Sequence, residues 1–109
     1  APPADWADRE LWFPVYKPRQ LVGATGAGDT TIAGFLSALL RQLPLHEAGR
    51  LANMVGASCC EAADALSGLG TWAETLARLP TATPVPLDPA SPGWRQSATT
   101  WVGPHDRGG

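Results

Sequence analysis

The strongest constraint on the fold is a turn of small residues that leads directly into a helical pattern. The run from Val22 to Thr31 reads VGATGAGDTT, and the apolar residues behind it recur every three or four positions. Gly and Ala let the chain turn tightly and leave backbone N–H groups uncovered at the positive end of the following helix dipole. The run is therefore suited to hold a phosphate, with Asp29 placed to take a proton from an attacking hydroxyl.

The composition fits one small globular domain and excludes several classes of protein. The chain has 109 residues, of which 44% are hydrophobic and 17% charged, and its net charge is −2. This charge gives no basic surface for nucleic acid, and no apolar run reaches the ~18 residues of a membrane span. Because the chain lacks a signal-peptide pattern and does not begin with Met, we expect a cytoplasmic segment cut from a longer protein.

Short extended segments precede the glycine-rich turn. We expect a strand over residues 11–16, interrupted by Pro14, and a second extended piece over residues 20–22. Lys17 and Arg19 lie in the turn between them, where they are either solvated or face a phosphate. The adjacent Cys59 and Cys60 point to different helix faces and form no disulfide framework or metal motif.

Three helices are predicted after the turn. The first begins at Asp29 and is stopped by Pro44, and the second runs over residues 46–66 until Gly68 ends it. The apolar stripe of the first helix consists of Ile32, Phe35, Leu36, Leu39, Leu40 and Leu43. That of the second consists of Leu51, Ala52, Val55, Cys59, Ala62, Ala63 and Leu66.

A capping box marks the start of the third helix. Thr71 serves as the N-cap and Glu74 lies three residues later, so each satisfies an otherwise unpaired backbone donor. The helix ends before Pro80, and residues 80–109, with six of the eleven prolines, are predicted to be a loop-rich tail anchored by Trp94 and Trp101. We therefore divide the chain into residues 1–79 and a tail of residues 80–109.

Two common phosphate-binding loops are excluded by the residues present. The P-loop requires Gly-Lys followed by Ser or Thr, and no Lys follows Lys17. The dinucleotide fingerprint requires Gly at position 31, where Thr31 stands. On these residues alone, Asp29 is explained equally well as a helix cap.

The turn and the first helix resemble a known family signature. TGAGD at residues 25–29, followed by AGFL at residues 33–36, resembles the carboxy-terminal signature of the ribokinase-like (PfkB) carbohydrate kinases. The Ala- and Gly-rich second helix is similar to the helix that lies beside the adenine in this family. The resemblance covers residues 11–79 and implies an α/β fold, the C-terminal part of a three-layer α/β/α architecture.

The resemblance implies ATP-dependent phosphoryl transfer to a hydroxyl of a sugar or related small alcohol. It makes Asp29 the general base, and Mg²⁺ would be held mainly through the ATP phosphates rather than by protein ligands. The amides of Gly26, Ala27 and Gly28 would form the anion hole. Thr25, Asn53 and Gly56 would contact the nucleotide, although Gly56 is also explained by helix packing and Asn53 by solvent exposure.

This chain departs from the family pattern in two ways. Gly23 and Ala24 stand where the family often has Asp-Thr, which removes a carboxylate near the loop. The sugar-binding half, the Asn-x-x-Glu motif and the upstream glycine-rich turn have no counterpart, so the chain resembles the last third of such a kinase and is expected to be inactive alone.

The resemblance leaves the substrate open and allows a homodimer of the full-length protein. Two other functions remain as hypotheses: a non-catalytic nucleotide-binding or interaction module derived from such a kinase, and a purely structural helical domain in which Asp29 is only a cap.

Overall fold

The computed structural model describes residues 4–63 and 69–108. Within these residues it contains three α-helices and a three-stranded antiparallel sheet. The helices are α1 (Ala27–Leu40), α2 (Leu45–Cys59) and α3 (Trp72–Arg78); the strands are β1 (Leu11–Trp12), β2 (Arg95–Ser97) and β3 (Thr100–Val102). Single turns of 3-10 helix cover Ala4–Trp6 and Leu79–Thr81.

Small residues let α1 and α2 approach each other closely. A Cβ atom added to Gly34 of α1 would lie 3.2 Å from Cγ2 of Val55 and 3.3 Å from Cα of Ala52, both on α2. The buried residues of α1 are Thr30, Gly34 and Ala38. The contact between these two helices, which positions the glycine-rich turn, therefore runs along small side chains.

The predicted apolar stripe of α1 does not form its buried face. Ile32, Leu36 and Leu40 are 60%, 50% and 83% exposed. Periodicity correctly marks these positions as apolar, but the close approach to α2 selects the small residues on another face. The other members of the stripe, Phe35, Leu39 and Leu43, are partly buried. Only part of the stripe therefore faces solvent, where α1 presents a row of large apolar side chains.

Both long helices differ from their predicted bounds. α1 begins at Ala27 instead of Asp29 because Gly26, with φ 78°, is its N-cap, and it ends at Leu40, shortly before Gln42 adopts φ 58°. α2 ends at Cys59 instead of Leu66, and the carbonyl oxygen of the next residue, Cys60, accepts from the amides of Val22 and Gly23. The predicted end, with Leu66 and Gly68, lies outside the described residues.

The third helix begins as predicted. Thr71 Oγ1 accepts from the amide of Glu74 at 3.1 Å, and Glu74 Oε1 accepts from the amide of Thr71 at 2.8 Å. These hydrogen bonds hold the pKa of Glu74 below its usual value. The core that this helix helps to cover consists of Tyr16, Leu51, Met54, Ala57 and Leu79, with Leu43, Trp72 and Ala82 packed against it.

The sheet joins the two ends of the described chain. β3 lies between β1 and β2, with Leu11 opposite Val102 on one side and Arg95 opposite Val102 on the other. The prediction of a loop-rich tail was therefore wrong for residues 95–102, although Trp94 does act as an anchor, with its ring centroid 6.0 Å from that of Trp12.

The strand predicted over residues 11–16 was too long. Only Leu11 and Trp12 pair with β3, because Pro14 has no N–H to donate, and Tyr16 forms a separate bridge with Pro84. Residues 20–22 form no strand; instead the amides of Val22 and Gly23 donate to the carbonyl oxygen of Cys60 at 2.9 and 3.2 Å.

An ion pair fastens the end of the described chain to its beginning. Asp106 Oδ1 accepts from Nε of Arg9 and from the amide of Glu10, both at 2.8 Å. The Arg9 hydrogen bond, followed by that of the Glu10 amide, holds the pKa of Asp106 below its usual value. No helix in the described part of the chain has the length and apolar character needed to cross a membrane.

Candidate active site

The glycine-rich turn presents unbonded amides at the start of α1. The amide of Ala27 donates to the carbonyl oxygen of Ala24 at 3.1 Å, and that of Thr30 to Gly26 at 2.9 Å. Across residues 4–63 and 69–108, the amides of Gly26, Gly28 and Asp29 make no hydrogen bond. Two of the three predicted anion-hole donors are thus open and Ala27 is engaged, while Asp29 adds a donor that sequence reasoning missed.

Asp29 lies in the first turn of α1 with its side chain exposed. It does not cap the helix, because Gly26 occupies the N-cap position and no side chain bonds to the cap. Its carboxylate makes no hydrogen bond or ion pair with the described residues. A negative charge in the first turn is stabilised by the helix dipole, by ~0.3–1 kcal/mol at a surface. The carboxylate is therefore available to an external hydroxyl.

A cavity of about 660 Å³ lies directly beside the turn. It is bounded by the segment 15–21, by the start of α1 and by the middle of α2. Four predicted site residues line it: Ala27, Gly28, Asn53 and Gly56. The other three, Thr25, Gly26 and Asp29, are not among its lining residues. Two of the three residues predicted for the nucleotide, Asn53 and Gly56, therefore line the cavity, whereas Thr25 and the predicted base Asp29 lie outside its lining.

Asn53 fixes one wall of this cavity. Its Nδ2 donates to the carbonyl oxygens of Phe13 and Pro14 at 3.3 and 2.8 Å. The alternative that Asn53 is simply solvated was wrong, since the side chain ties α2 to the segment after β1. The role of Asn53 in nucleotide binding stays a prediction, with the amide N–H groups already committed to the protein.

Gly56 lies where α1 and α2 are closest to the turn. A Cβ atom at this position would collide with Oγ1 of Thr31, which itself donates to the carbonyl oxygen of Ala27 at 2.8 Å. Helix packing therefore accounts for the glycine, as the sequence allowed, and the same residue also forms part of the cavity wall.

Thr25 is exposed at the apex of the turn. Its carbonyl oxygen accepts from Sγ of Cys59 at 3.5 Å, which links the turn to the end of α2. The role of its hydroxyl near a phosphate stays a prediction.

An ion pair that sequence reasoning missed supports the cavity wall. Arg78 of α3 binds Glu61 through two hydrogen bonds of 2.9 and 2.8 Å and also donates to Oγ of Ser58 at 3.0 Å. Glu61 accepts from the amide of Arg19 as well. Burial raises the pKa of Glu61, but the hydrogen bonds from Arg78 and the Arg19 amide outweigh it and lower the pKa. No sequence spacing signals a pair this far apart.

The described residues offer no protein metal centre. Within residues 4–63 and 69–108, no three side chains of His, Cys, Asp or Glu are grouped to hold an ion.

Comparison with known proteins decides the family. The family model described as pfkB family carbohydrate kinase matches residues 3–72, which include the glycine-rich turn, α1 and α2. The chain belongs to the pfkB carbohydrate kinase family. No solved structure matches the chain.

Curated relatives of this pfkB family member include kinases whose names give different substrates. A nucleoside kinase of Methanocaldococcus jannaschii is 32% identical over 72 residues, covering 66% of this chain and 24% of the relative. An uncharacterized sugar kinase of Archaeoglobus fulgidus is 46% identical over 64 residues, covering 57% of this chain and 24% of the relative. A 1-phosphofructokinase of Bacillus subtilis is 38% identical over 53 residues, covering 49% of this chain and 18% of the relative. The chain thus spans about a quarter or less of these relatives.

Proposed function

We propose that this chain supplies the nucleotide-binding and proton-accepting segment of a kinase that transfers a phosphoryl group from ATP to a hydroxyl of a sugar or related small alcohol. The observation that carries the proposal is the set of open amides at Gly26, Gly28 and Asp29, at the start of α1 and beside a cavity. The membership in the pfkB family and the names of the relatives support the same reaction class.

The reaction requires little covalent chemistry from the protein. The acceptor oxygen forms a bond to the γ-phosphorus, the bond from that phosphorus to the β,γ-bridging oxygen breaks, and ADP leaves. The acceptor proton moves to the carboxylate of Asp29. General-base catalysis of this type typically accelerates a reaction by ~10²–10⁴. The open amides stabilise the negative charge on the transferring group, at ~10²–10³ per donor in a shielded site.

The size of the cavity supports the proposal that it holds the nucleoside end of ATP. Its volume of about 660 Å³ lies inside the range of roughly 300–1,000 Å³ that small-molecule sites occupy. Gly28 belongs both to the row of open amides and to the cavity wall, so a nucleotide in the cavity would direct its phosphates toward the turn. Mg²⁺ would enter bound to the phosphates, where it would neutralise part of their charge.

We also propose the ribokinase-like three-layer fold for the complete kinase. The exposed row of Ile32, Leu36 and Leu40 on α1 supports this, because a contiguous apolar helix face is normally covered by another layer. The acceptor-binding residues would belong to the part of the kinase that the relatives have beyond this chain's match.

Calorimetric titration of Mg²⁺–ATP into the 109-residue chain tests the proposal. We expect saturable binding at one site. The substitution Gly28→Pro removes the backbone N–H donor at this position, and the first turn of a helix tolerates proline. This variant should therefore bind Mg²⁺–ATP more weakly. Gly28→Ala is the matched control, since a Cβ at this position meets nothing within 4 Å. Absence of ATP binding, or equal affinities of the Pro and Ala variants with folding confirmed by circular dichroism, would contradict the proposal.

A further inference from the structure

The charge of the cavity wall differs from that of the chain as a whole. The chain has a net charge of −2, with ten acidic residues. The cavity beside the glycine-rich turn is lined by Lys17 and Arg19 but by no acidic side chain of the described residues. A mostly apolar cavity with two cations favours a ligand that has an apolar body and an anionic end.

The backbone holds both cations in place. The amide of Lys17 donates to the carbonyl oxygen of Thr83 at 2.8 Å, and Tyr16 before it bridges to Pro84. On the other side, the amide of Arg19 donates to Glu61. The segment 16–19 is thus fastened to the tail at one end and to the residues after α2 at the other, so its side chains project from a fixed wall.

The two cations differ in what surrounds them. In the described part of the chain, Lys17 makes no side-chain hydrogen bond or ion pair. Arg19 is close enough to Glu61 to lower the pKa of that carboxyl, so part of its charge is already balanced. Glu61 in turn pairs with Arg78. Lys17 is consequently the stronger site for an added anion.

We infer that Lys17 binds the phosphate chain of the nucleotide, with a smaller contribution from Arg19, and so makes the cavity selective for nucleoside polyphosphates over nucleosides. The inference rests on the proposed function, because it names the residue that recognises the phosphates in the same cavity. The lysine ammonium adds a point charge where the amides of the glycine-rich turn add fixed dipoles.

Calorimetric titration of the 109-residue chain with ATP, AMP and adenosine tests this inference. Lys17→Ala should weaken ATP binding about 3- to 10-fold, as expected for the loss of an exposed charge, and leave adenosine binding unchanged. Lys17→Arg should restore most of the ATP affinity, and Arg19→Ala should have a smaller effect than Lys17→Ala. The loss should shrink as salt is raised. Arg107→Ala is the matched control, because it removes an exposed positive charge outside the cavity.

The outcomes separate this inference from the proposed function. If the unsubstituted chain binds ATP and Lys17→Ala binds it equally well, the inference is overturned while the proposed function stands. An equal loss of ATP and adenosine affinity also overturns it, since the residue would then act through packing. If the unsubstituted chain binds neither ATP nor AMP, both the proposed function and the inference fail.

Discussion

Substituting Gly56→Ala tests whether the contact between α1 and α2 sets the position of the glycine-rich turn. The added Cβ would collide with Oγ1 of Thr31 and would lie 3.6 Å from the carbonyl oxygen of Ala27. Thr31 cannot turn its hydroxyl away without losing its 2.8 Å hydrogen bond to that carbonyl. The helices must therefore separate or the hydrogen bond must break.

The expected change in stability is a difference between two terms. Overpacking a close helix contact costs ~1–3 kcal/mol, whereas replacing Gly by Ala inside a helix gains ~0.5–1 kcal/mol. We expect the free energy of unfolding to fall by about 1 kcal/mol as the net of these terms. In a Thr31→Ala background the collision is absent, so Gly56→Ala should instead stabilise the chain by ~0.5–1 kcal/mol.

Urea unfolding of the four proteins of this double-mutant cycle is the assay. The coupling energy between positions 31 and 56 should be ~1–3 kcal/mol, well above the ~0.3–0.5 kcal/mol seen between independent sites. If Gly56→Ala stabilises the chain equally in both backgrounds, the close contact does not constrain the turn and the packing argument fails.

Two further predictions concern the stability of the fold. The pKa of Glu61 is lower in the folded chain than its ordinary value of 4.5. Its pair with Arg78 therefore stabilises the fold fully above pH 4.5, and this stabilisation is lost as the pH falls through the lowered pKa. Glu61→Gln should reduce the free energy of unfolding at pH 7 by ~1–3 kcal/mol, and the difference from the parent should vanish at low pH; a pH-independent difference would refute this. In the hairpin between β2 and β3, Ala98 has φ 54°, so Ala98→Gly should raise the free energy of unfolding by up to ~1 kcal/mol. A lower thermal midpoint for this variant would contradict that expectation.

Features set by neighbouring residues could be predicted from the sequence. The capping box of Thr71 and Glu74 depends on two residues three positions apart, and the structure has it as predicted. The glycine-rich turn into a helix is equally local, and its start differs by two residues because Gly26 adopts a left-handed conformation. The family signature lies in this same stretch, which is why the family could be inferred from one sequence.

Features set by distant partners could not be predicted. The hairpin between β2 and β3 turns at Ala98, so it lacks the Asn-Gly or Gly signal by which hairpins are usually found. Its strand β3 pairs with β1 from the other end of the chain. Likewise, the sequence pattern of α1 gives its apolar positions but not its buried face. That face contains Gly34, because only a small residue allows α1 to pack closely against Val55 and Ala52 of α2.

The candidate site shows the same division. The sequence marks Gly28 and Asp29 through the turn that contains them, but the open amide of Asp29 and the engaged amide of Ala27 follow from the path of the backbone. The position of Lys17 on the same cavity as Gly28 depends on hydrogen bonds to the tail, which no local pattern encodes.

The most direct test of the central claim is the turnover of the complete kinase in which we propose that this segment lies, with Asp29 and with Asp29→Asn. The assay follows phosphoryl transfer from ATP to a panel of sugars and nucleosides, and Asp88→Asn, an exposed acid of the tail, is the control. We predict that Asp29→Asn lowers kcat at least ~100-fold while ATP affinity stays nearly unchanged and the control retains full turnover. Equal turnover of the Asp29→Asn enzyme and its parent would contradict the account.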